Sequence, residues 1–254
     1  MSWNPAQYLK FAGPRLRPAV DLLARVPIEA PTTVYDLGCG AGQTVALLAA
    51  RFPGAQVMGV DSSAEMLADA RRSFPEHRFV AGDIAAFRAV PPAHLVFSNA
   101  ALQWLPDHDR LLPRLFGEVR VGGVLAVQVP RVDDSPRMSV LRELAGDPRW
   151  AARALPRLQP GPLAPEACYD LLAPAAASLD IWEAEYLHVL EGDDPVVEWT
   201  RGAGGAAVLA ELEKDEREEF LARYTAAMRA AYPRRKDGTT LLPFRRLFIV
   251  AVRK

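Results

Sequence analysis

Four places in the first hundred residues carry polar groups at intervals that suit the binding of a nucleoside. An acid precedes a glycine-rich turn in Asp36-Leu37-Gly38-Cys39-Gly40-Ala41-Gly42, Asp61 follows nineteen residues after Gly42, Asp83-Ile84 come next, and Asn99 is last. Gly38 and Gly40 lack the Cβ atoms that keep backbone away from a ligand, and a helix starting beyond such a turn offers N–H donors with no helical partner. A carboxylate such as Asp61 accepts hydrogen bonds from both ribose hydroxyls. Asp83 supplies an acceptor for an exocyclic amine and Ile84 an apolar surface for the ring, a pairing that suits adenine. In Gly38-x-Gly40-x-Gly42 the third glycine falls one residue earlier than in the dinucleotide fingerprint, which points away from NAD.

Each of these groups stands at the end of a strand-like run: Thr33 to Asp36, Gln56 to Val60, Arg78 to Ala81 and His94 to Asn99. Helical periods lie between them at Gln43 to Arg51, Ser63 to Ser73 and near Asp107 to Val119, with Ser62 or Ser63 as an N-cap. Gly122-Gly123 reads as a break before a fifth strand, Val124 to Val129. The alternation predicts a parallel sheet with helices on both faces and a ligand over the strands' carboxyl ends. After Pro130, residues 133–178 are rich in Pro, Ala and Arg. A long strand follows from Leu179 to Leu190, then helices near 195–200 and 215–232 and a last strand, Leu247 to Val252. The expected fold is α/β: a Rossmann-like, doubly wound, mostly parallel seven-stranded sheet with a helical cap. A single domain would comprise a cofactor-binding core and N-terminal lid (1–132), cap segments (133–178 and 193–243) and closing strands (179–192 and 244–254). The charge run from Glu211 to Glu219 reads as a solvated helix face.

With 254 residues, half of them apolar, the chain can bury a substantial core. No apolar segment is long enough to cross a bilayer and the amino terminus lacks the pattern of a secretion signal, so the expected location is the cytoplasm. A formal charge of −1 argues for neither nucleic acid nor a membrane surface as a partner. Cys39 and Cys168 have no metal-ligand spacing, and no metal is expected; a small side chain in the loop explains Cys39. Oligomeric state is not legible.

The acid followed by Gly-x-Gly-x-Gly, with Asp61, Asp83-Ile84 and Asn99 at successive strand ends, resembles the class I S-adenosylmethionine-dependent methyltransferases. Narrower stretches resemble the trans-aconitate 2-methyltransferase family. These are Trp3-Asn4-Pro5, Tyr8, Arg15 and Arg17, Leu102-Gln103-Trp104-Leu105-Pro106-Asp107-His108, Val124-Leu125-Ala126-Val127-Gln128, Asp180-Ile181-Trp182 and Arg246-Leu247-Phe248-Ile249-Val250-Ala251. The resemblance implies methyl esterification of trans-aconitate or a related small polycarboxylic acid, with S-adenosylmethionine as cofactor and S-adenosylhomocysteine as product. One departure stands out: after Trp199, where the family reads Gly-Leu-Arg-Pro, this chain has Gly202-Ala203-Gly204-Gly205-Ala206-Ala207, with Arg201 the nearest cation.

On this reading the cofactor residues are Tyr8, Gly38, Gly40, Asp61, Ser62, Met66, Asp83, Ile84 and Asn99. Substrate candidates are Trp3, Arg15, Arg17, Trp104, His188 and Arg246. Arginine forks suit a carboxylate, although Arg15 and Arg17 equally fit a solvated helix face and Arg246 a helix cap or ion pair. His188 has a structural hydrogen-bonder as its alternative, Trp104 and Tyr8 ordinary burial. No catalytic base is required, because a carboxylate is already ionised at pH 7; proximity and orientation carry the reaction. An amine, phenol or carbon acceptor is the alternative, and such a site would need a general base.

Overall fold

The computed structural model describes residues 16–158, 161, 163–201 and 205–254. Trp3, Tyr8, Arg15 and Gly202 to Gly204 lie outside the described residues. Among those described, the chain forms a seven-stranded sheet of order β3-β2-β1-β4-β5-β7-β6. The strands are β1 (Thr33–Leu37), β2 (Gln56–Asp61), β3 (Arg78–Ala81), β4 (Ala93–Asn99), β5 (Val119–Pro130), β6 (Ala176–Leu190) and β7 (Thr240–Arg253). Strands β1 to β5 pair in parallel and β7 runs antiparallel to β5, which gives the mostly parallel, doubly wound arrangement expected from the alternating pattern.

Two compact units make up the chain. The first comprises residues 1–130, 162–184 and 246–254 and the second residues 131–161 and 185–245. In the first, helices α1 (Arg17–Ala24), α2 (Gln43–Arg51), α3 (Ala64–Ser73), α4 (His108–Gly117) and α7 (Pro165–Leu172) flank the central strands. Val34, Leu95, Phe97 and Val124 are fully buried, as expected of parallel strands covered on both faces. Ser63 caps α3, its hydroxyl accepting from the Met66 N–H at 3.3 Å. Helix α2 starts differently: its N-cap is Gly42 in a left-handed conformation, and no side chain caps the first turn.

Two expectations need correction. Gly122-Gly123 does not precede the fifth strand but lies inside it, where Gly122 has φ +74° and the β4–β5 register slips between Ala93 and Leu95. A bulge takes up the extra residues that a sequence reading takes for a break. The acids of the 211–219 run are also more than a solvated face. Glu211 pairs with Arg157 at 2.7 Å, Glu216 with Arg153 at 2.7 Å, and Glu219 with Arg149 at 2.6 Å.

The second unit, with helices α5 (Pro136–Ala145), α6 (Ala151–Ala154), α8 (Pro195–Arg201), α9 (Gly205–Ala210) and α10 (Lys214–Ala231), has its own core of Leu141, Trp150, Val196, Val208, Phe220, Tyr224 and Phe244. Glu213 and Glu216 form a capping box at the start of α10. Trp150 is fully buried, and its indole N–H donates to the Leu144 carbonyl at 2.7 Å. Trp150→Ala removes that volume and that bond. It is expected to lower stability by about 3–5 kcal/mol in urea denaturation.

Candidate functional site

The loop after β1 is fixed by hydrogen bonds to β2. Gly38 and Cys39 both donate their N–H groups to the Val60 carbonyl, at 2.8 and 3.1 Å. The Asp61 carboxylate at the tip of β2 accepts from Gly40 N–H at 2.9 Å and from Ser63 N–H at 2.8 Å. Asp61 therefore ties the glycine loop to the start of α3. Each of its oxygens keeps a further lone pair for a ligand hydroxyl.

The glycines differ in what they do. A Cβ on Gly38 would lie 2.1 Å from the Ala101 Cβ, so this glycine is demanded by packing as well as by its φ of +75°. At Gly40, with φ +52°, an added Cβ would have no described atom within 4 Å, and the loop is open on that side. The Cys39 sulfur packs against Gly59. Its thiol is held protonated, mainly by burial and further by the charges of Asp36 and Asp61, which makes it a small apolar filler and not a nucleophile.

Asp83 is exposed and caps a 3-10 turn at Ile84–Ala86, accepting from Ala85 N–H at 2.8 Å. The Ile84 Cδ1 lies 3.5 Å from the position a Gly38 Cβ would take, so its side chain faces the loop. Ser62 follows Asp61 in the chain, and Met66 is exposed in the first turn of α3. Trp104 is 51% exposed at the end of a 3-10 turn, which rules out ordinary core burial.

A row of polar side chains crosses four neighbouring strands. The register places Asp36 beside Phe97, Asn99 beside Gln128, Gln128 beside Phe248 and Pro130 beside Arg246. Partners in register share a face, and so do residues two apart along a strand. Asp36 (β1), Asn99 (β4), Gln128 (β5) and Arg246 (β7) therefore share one face, at the carboxyl ends of the three parallel strands. Arg246 does not precede its strand, as the sequence suggests, but lies buried within it and donates to the side-chain carbonyl oxygen of Gln128 at 3.3 Å. Asp36 Oδ2, Asn99 Oδ1 and Gln128 Nε2 are buried with no hydrogen-bond partner among the described residues. Such groups are costly to leave unsatisfied, and they mark a surface shaped for something other than the sheet. Burial, reinforced by the Asp61 charge, pushes the Asp36 carboxyl up to about 8.

Sequence reasoning missed Gln128 as a site residue and gave Asp36 no role beyond preceding the loop. The only signal was a polar residue at the end of an apolar run in each case. In the second unit His188 is buried, 4.7 Å from the Trp199 ring and 5.7 Å from Phe244. Arg17 is exposed in the first turn of α1. Arg201 pairs with Glu198 at 2.9 Å on the surface. Among the described residues, no cluster of three or more His, Cys, Asp or Glu could hold a metal ion, and no helix is long and apolar enough to cross a membrane.

Residues 34–123 match the family model described as a methyltransferase domain. Over 253 residues, 99% of this chain, the sequence is 49% identical to the trans-aconitate 2-methyltransferase of Azoarcus sp. (strain BH72), 99% of which is covered. It is also 49% identical to the enzyme of that name from Methylobacterium nodulans, covering 99% of this chain and 98% of that one. The fold is similar to the YcgJ protein of Bacillus subtilis (TM-score 0.60, 15% identity, 93% and 97% of the two chains). It is also similar to Haemonchus contortus phosphoethanolamine N-methyltransferase 2, a structure in complex with S-adenosyl-L-methionine (TM-score 0.55, 17% identity, 98% and 56%).

The raised Asp36 carboxyl has a measurable consequence for the ligand-free protein. A carboxyl whose folded pKa is about 8, against roughly 4 unfolded, favours the folded state fully below pH 4 and loses that contribution as pH rises through 8. Asp36→Asn is expected to flatten the fall in thermal midpoint between pH 5 and 8. A variant whose midpoint tracks the wild type across that range would contradict the assignment.

Proposed function

Since the chain belongs to the trans-aconitate 2-methyltransferase family, we propose that it uses S-adenosylmethionine to esterify one carboxylate of trans-aconitate or a closely related small polycarboxylic acid. The observation that carries the reading is the glycine loop, open above Gly40 and held by Asp61, beside buried acceptors on Asp36 and Asn99 that have no partner among the described residues. A ligand bearing hydroxyls, an ammonium and a sulfonium matches that donor and acceptor set. Two acids at this edge, one of them raised toward neutrality, favour a cation over an anion.

Each residue then has a definite task. Asp61 accepts from the ribose hydroxyls with the lone pairs its backbone bonds leave free, and Gly40 gives the ligand room beside the loop. Asp83 and Ile84 take the adenine edge and face, with Met66 and Ser62 along the ribose. Asp36 and Asn99 accept from the amino-acid end, the role the family resemblance also gives Tyr8. S-adenosylmethionine supplies a methyl group on positively charged sulfur, an electrophile that a carboxylate oxygen attacks without a base.

The protein's part is to fix the acid and keep water out. Arg246 offers a guanidinium held in place by Gln128, whose Nε2 remains as a second donor on the same face. Trp104, half exposed, is suited to close over a ligand; for Trp3, Arg15, Arg17 and His188 a part in acceptor binding rests on the family resemblance alone. No group on the described face is poised to remove a proton from an amine or phenol, because its acid, Asp36, belongs with Asp61 to the cofactor side. That favours an acid that is ionised before it binds.

Incubation with methyl-labelled S-adenosylmethionine and a panel of acids is expected to give a base-labile ester with trans-aconitate. Product only with amines or phenols would overturn the reading. Asp61→Ala is expected to weaken cofactor binding roughly 10- to 150-fold, the equivalent of about 1.5–3 kcal/mol for a charged hydrogen bond, and to leave acceptor affinity unchanged. Arg246→Lys should raise the acceptor KM while sparing the cofactor dissociation constant; identical kinetics would remove it from the site.

A further inference from the structure

Trp104 stands on a turn that side chains brace from both directions. The segment from Asn99 to His108 leaves the carboxyl end of β4, forms the 3-10 turn Leu102–Trp104 and enters α4. At its start the Ala100 N–H donates to the Gln128 carbonyl at 2.9 Å, and Ala101 packs so closely on Gly38 that a Cβ there would lie 2.1 Å from its own. The turn is thereby joined to the glycine loop and to β5, all within the first unit. Gln103, one residue before Trp104, donates its side-chain N–H to the Ala100 carbonyl at 2.7 Å. His108, four residues after Trp104, is bonded through Nε2 to the Leu102 carbonyl at 2.8 Å. A carbonyl only accepts, so Nε2 carries the ring proton.

The second brace is not explained by stability. The Leu102 carbonyl already accepts from the Leu105 N–H at 3.0 Å, so His108 rescues no orphaned backbone group. The imidazole is buried beside apolar neighbours: with Leu112, Val127, Cys168 and Ile249 it lines a cavity of about 20 Å³. A leucine would suit that wall as well. The segment is also bent into strain. Ala100 and Asp107, near its two ends, both have φ of +55°, a left-handed conformation that residues with a Cβ keep only where their surroundings impose it. Strained at both ends and tied twice between them, the segment presents one large exposed apolar side chain, Trp104.

We propose that His108 is a positioning residue: its Nε2–H fixes the 102–104 turn, so that Trp104 meets the acid acceptor already in place. This rests on the function proposed above and on the part given there to Trp104. An indole held in one place loses little freedom when the acceptor binds, and that saving appears in the acceptor's affinity. Asp61 is anchored separately, by Gly40 and Ser63, so the effect belongs to the KM for the acid and not to the cofactor dissociation constant.

A double-mutant cycle tests this, because a merely structural histidine would act whether or not Trp104 is present. His108→Leu keeps the apolar fit and drops the N–H; it is expected to raise the trans-aconitate KM at least about fivefold and to leave the cofactor dissociation constant unchanged. His108→Gln, whose amide N–H has nearly the reach of Nε2, should bring KM back to the wild-type value. In a Trp104→Ala background His108→Leu should add nothing to KM. Fluorotryptophan labelling gives a readout that needs no turnover. The Trp104 fluorine resonance, assigned by its loss in Trp104→Phe, should shift and broaden in His108→Leu and return in His108→Gln. If His108→Leu does not fold, His108→Asn, whose amide stops short of the Leu102 carbonyl, takes its place with the same expectations. An unaltered KM, an equal rise with and without Trp104, or an unmoved fluorine resonance overturns the proposal. If no acid is esterified but the resonance moves and is rescued as described, His108 still sets the turn and the proposed reaction falls. Normal esterification with an unaltered KM in the variant leaves the reaction standing and removes His108 from its support.

Discussion

Two hydrogen bonds to the Asp61 carboxylate, from Gly40 N–H and Ser63 N–H, are the constraint on which the cofactor edge depends. They join the loop after β1 to the turn after β2, two strands already in register from Thr33–Gln56 to Leu37–Val60. With Gly38 and Cys39 both donating to Val60, the protein's own hydrogen bonds hold the loop in one shape. Preorganisation of this kind lowers the ordering cost of association. It also explains why the glycines are not equivalent: Gly38 is required by Ala101, Gly42 sits against Phe74 and Phe79, and an added Cβ at Gly40 would meet no atom of the described residues within 4 Å.

Polar groups also stand where the fold has no use for them. Asp36, Asn99 and Gln128 each bury an atom without a partner among the described residues, at about 1–3 kcal/mol apiece for neutral groups and more for a charge. Apolar residues at these positions would fold as well or better, in keeping with the general exchange of stability for activity. The groups are sorted by charge. Asp36 and Asp61 suit a cationic methyl donor, whereas Arg246 suits an anionic acceptor. A reaction between a sulfonium and a carboxylate needs that sorting more than it needs an acid or a base.

Much of the fold was legible because its periodicity is local. The strand, turn and helix alternation from Val34 to Pro130 follows from apolar runs of strand length separated by helical spacing, and residue type alone narrowed the cap of α3 to Ser62 or Ser63, of which Ser63 makes the bond. Gly122-Gly123 misled because a bulge and a turn share the same glycine signature, and register is not a local property. The same limit applied to the site. Asp61, Asp83 and Asn99 announce themselves at strand ends, but Gln128 gains meaning only when Arg246, 118 residues later, is set beside it by antiparallel pairing.

Calorimetric titration of S-adenosylmethionine into the protein at pH 7, in buffers of different ionisation enthalpy, is the most direct test of the cationic cofactor edge. A cationic cofactor held against Asp36 and Asp61 ionises a carboxyl that stands near 8 without ligand, so saturable binding should be accompanied by net proton release to the buffer. Absence of saturable heat, or a saturable heat that is the same in every buffer, would contradict it.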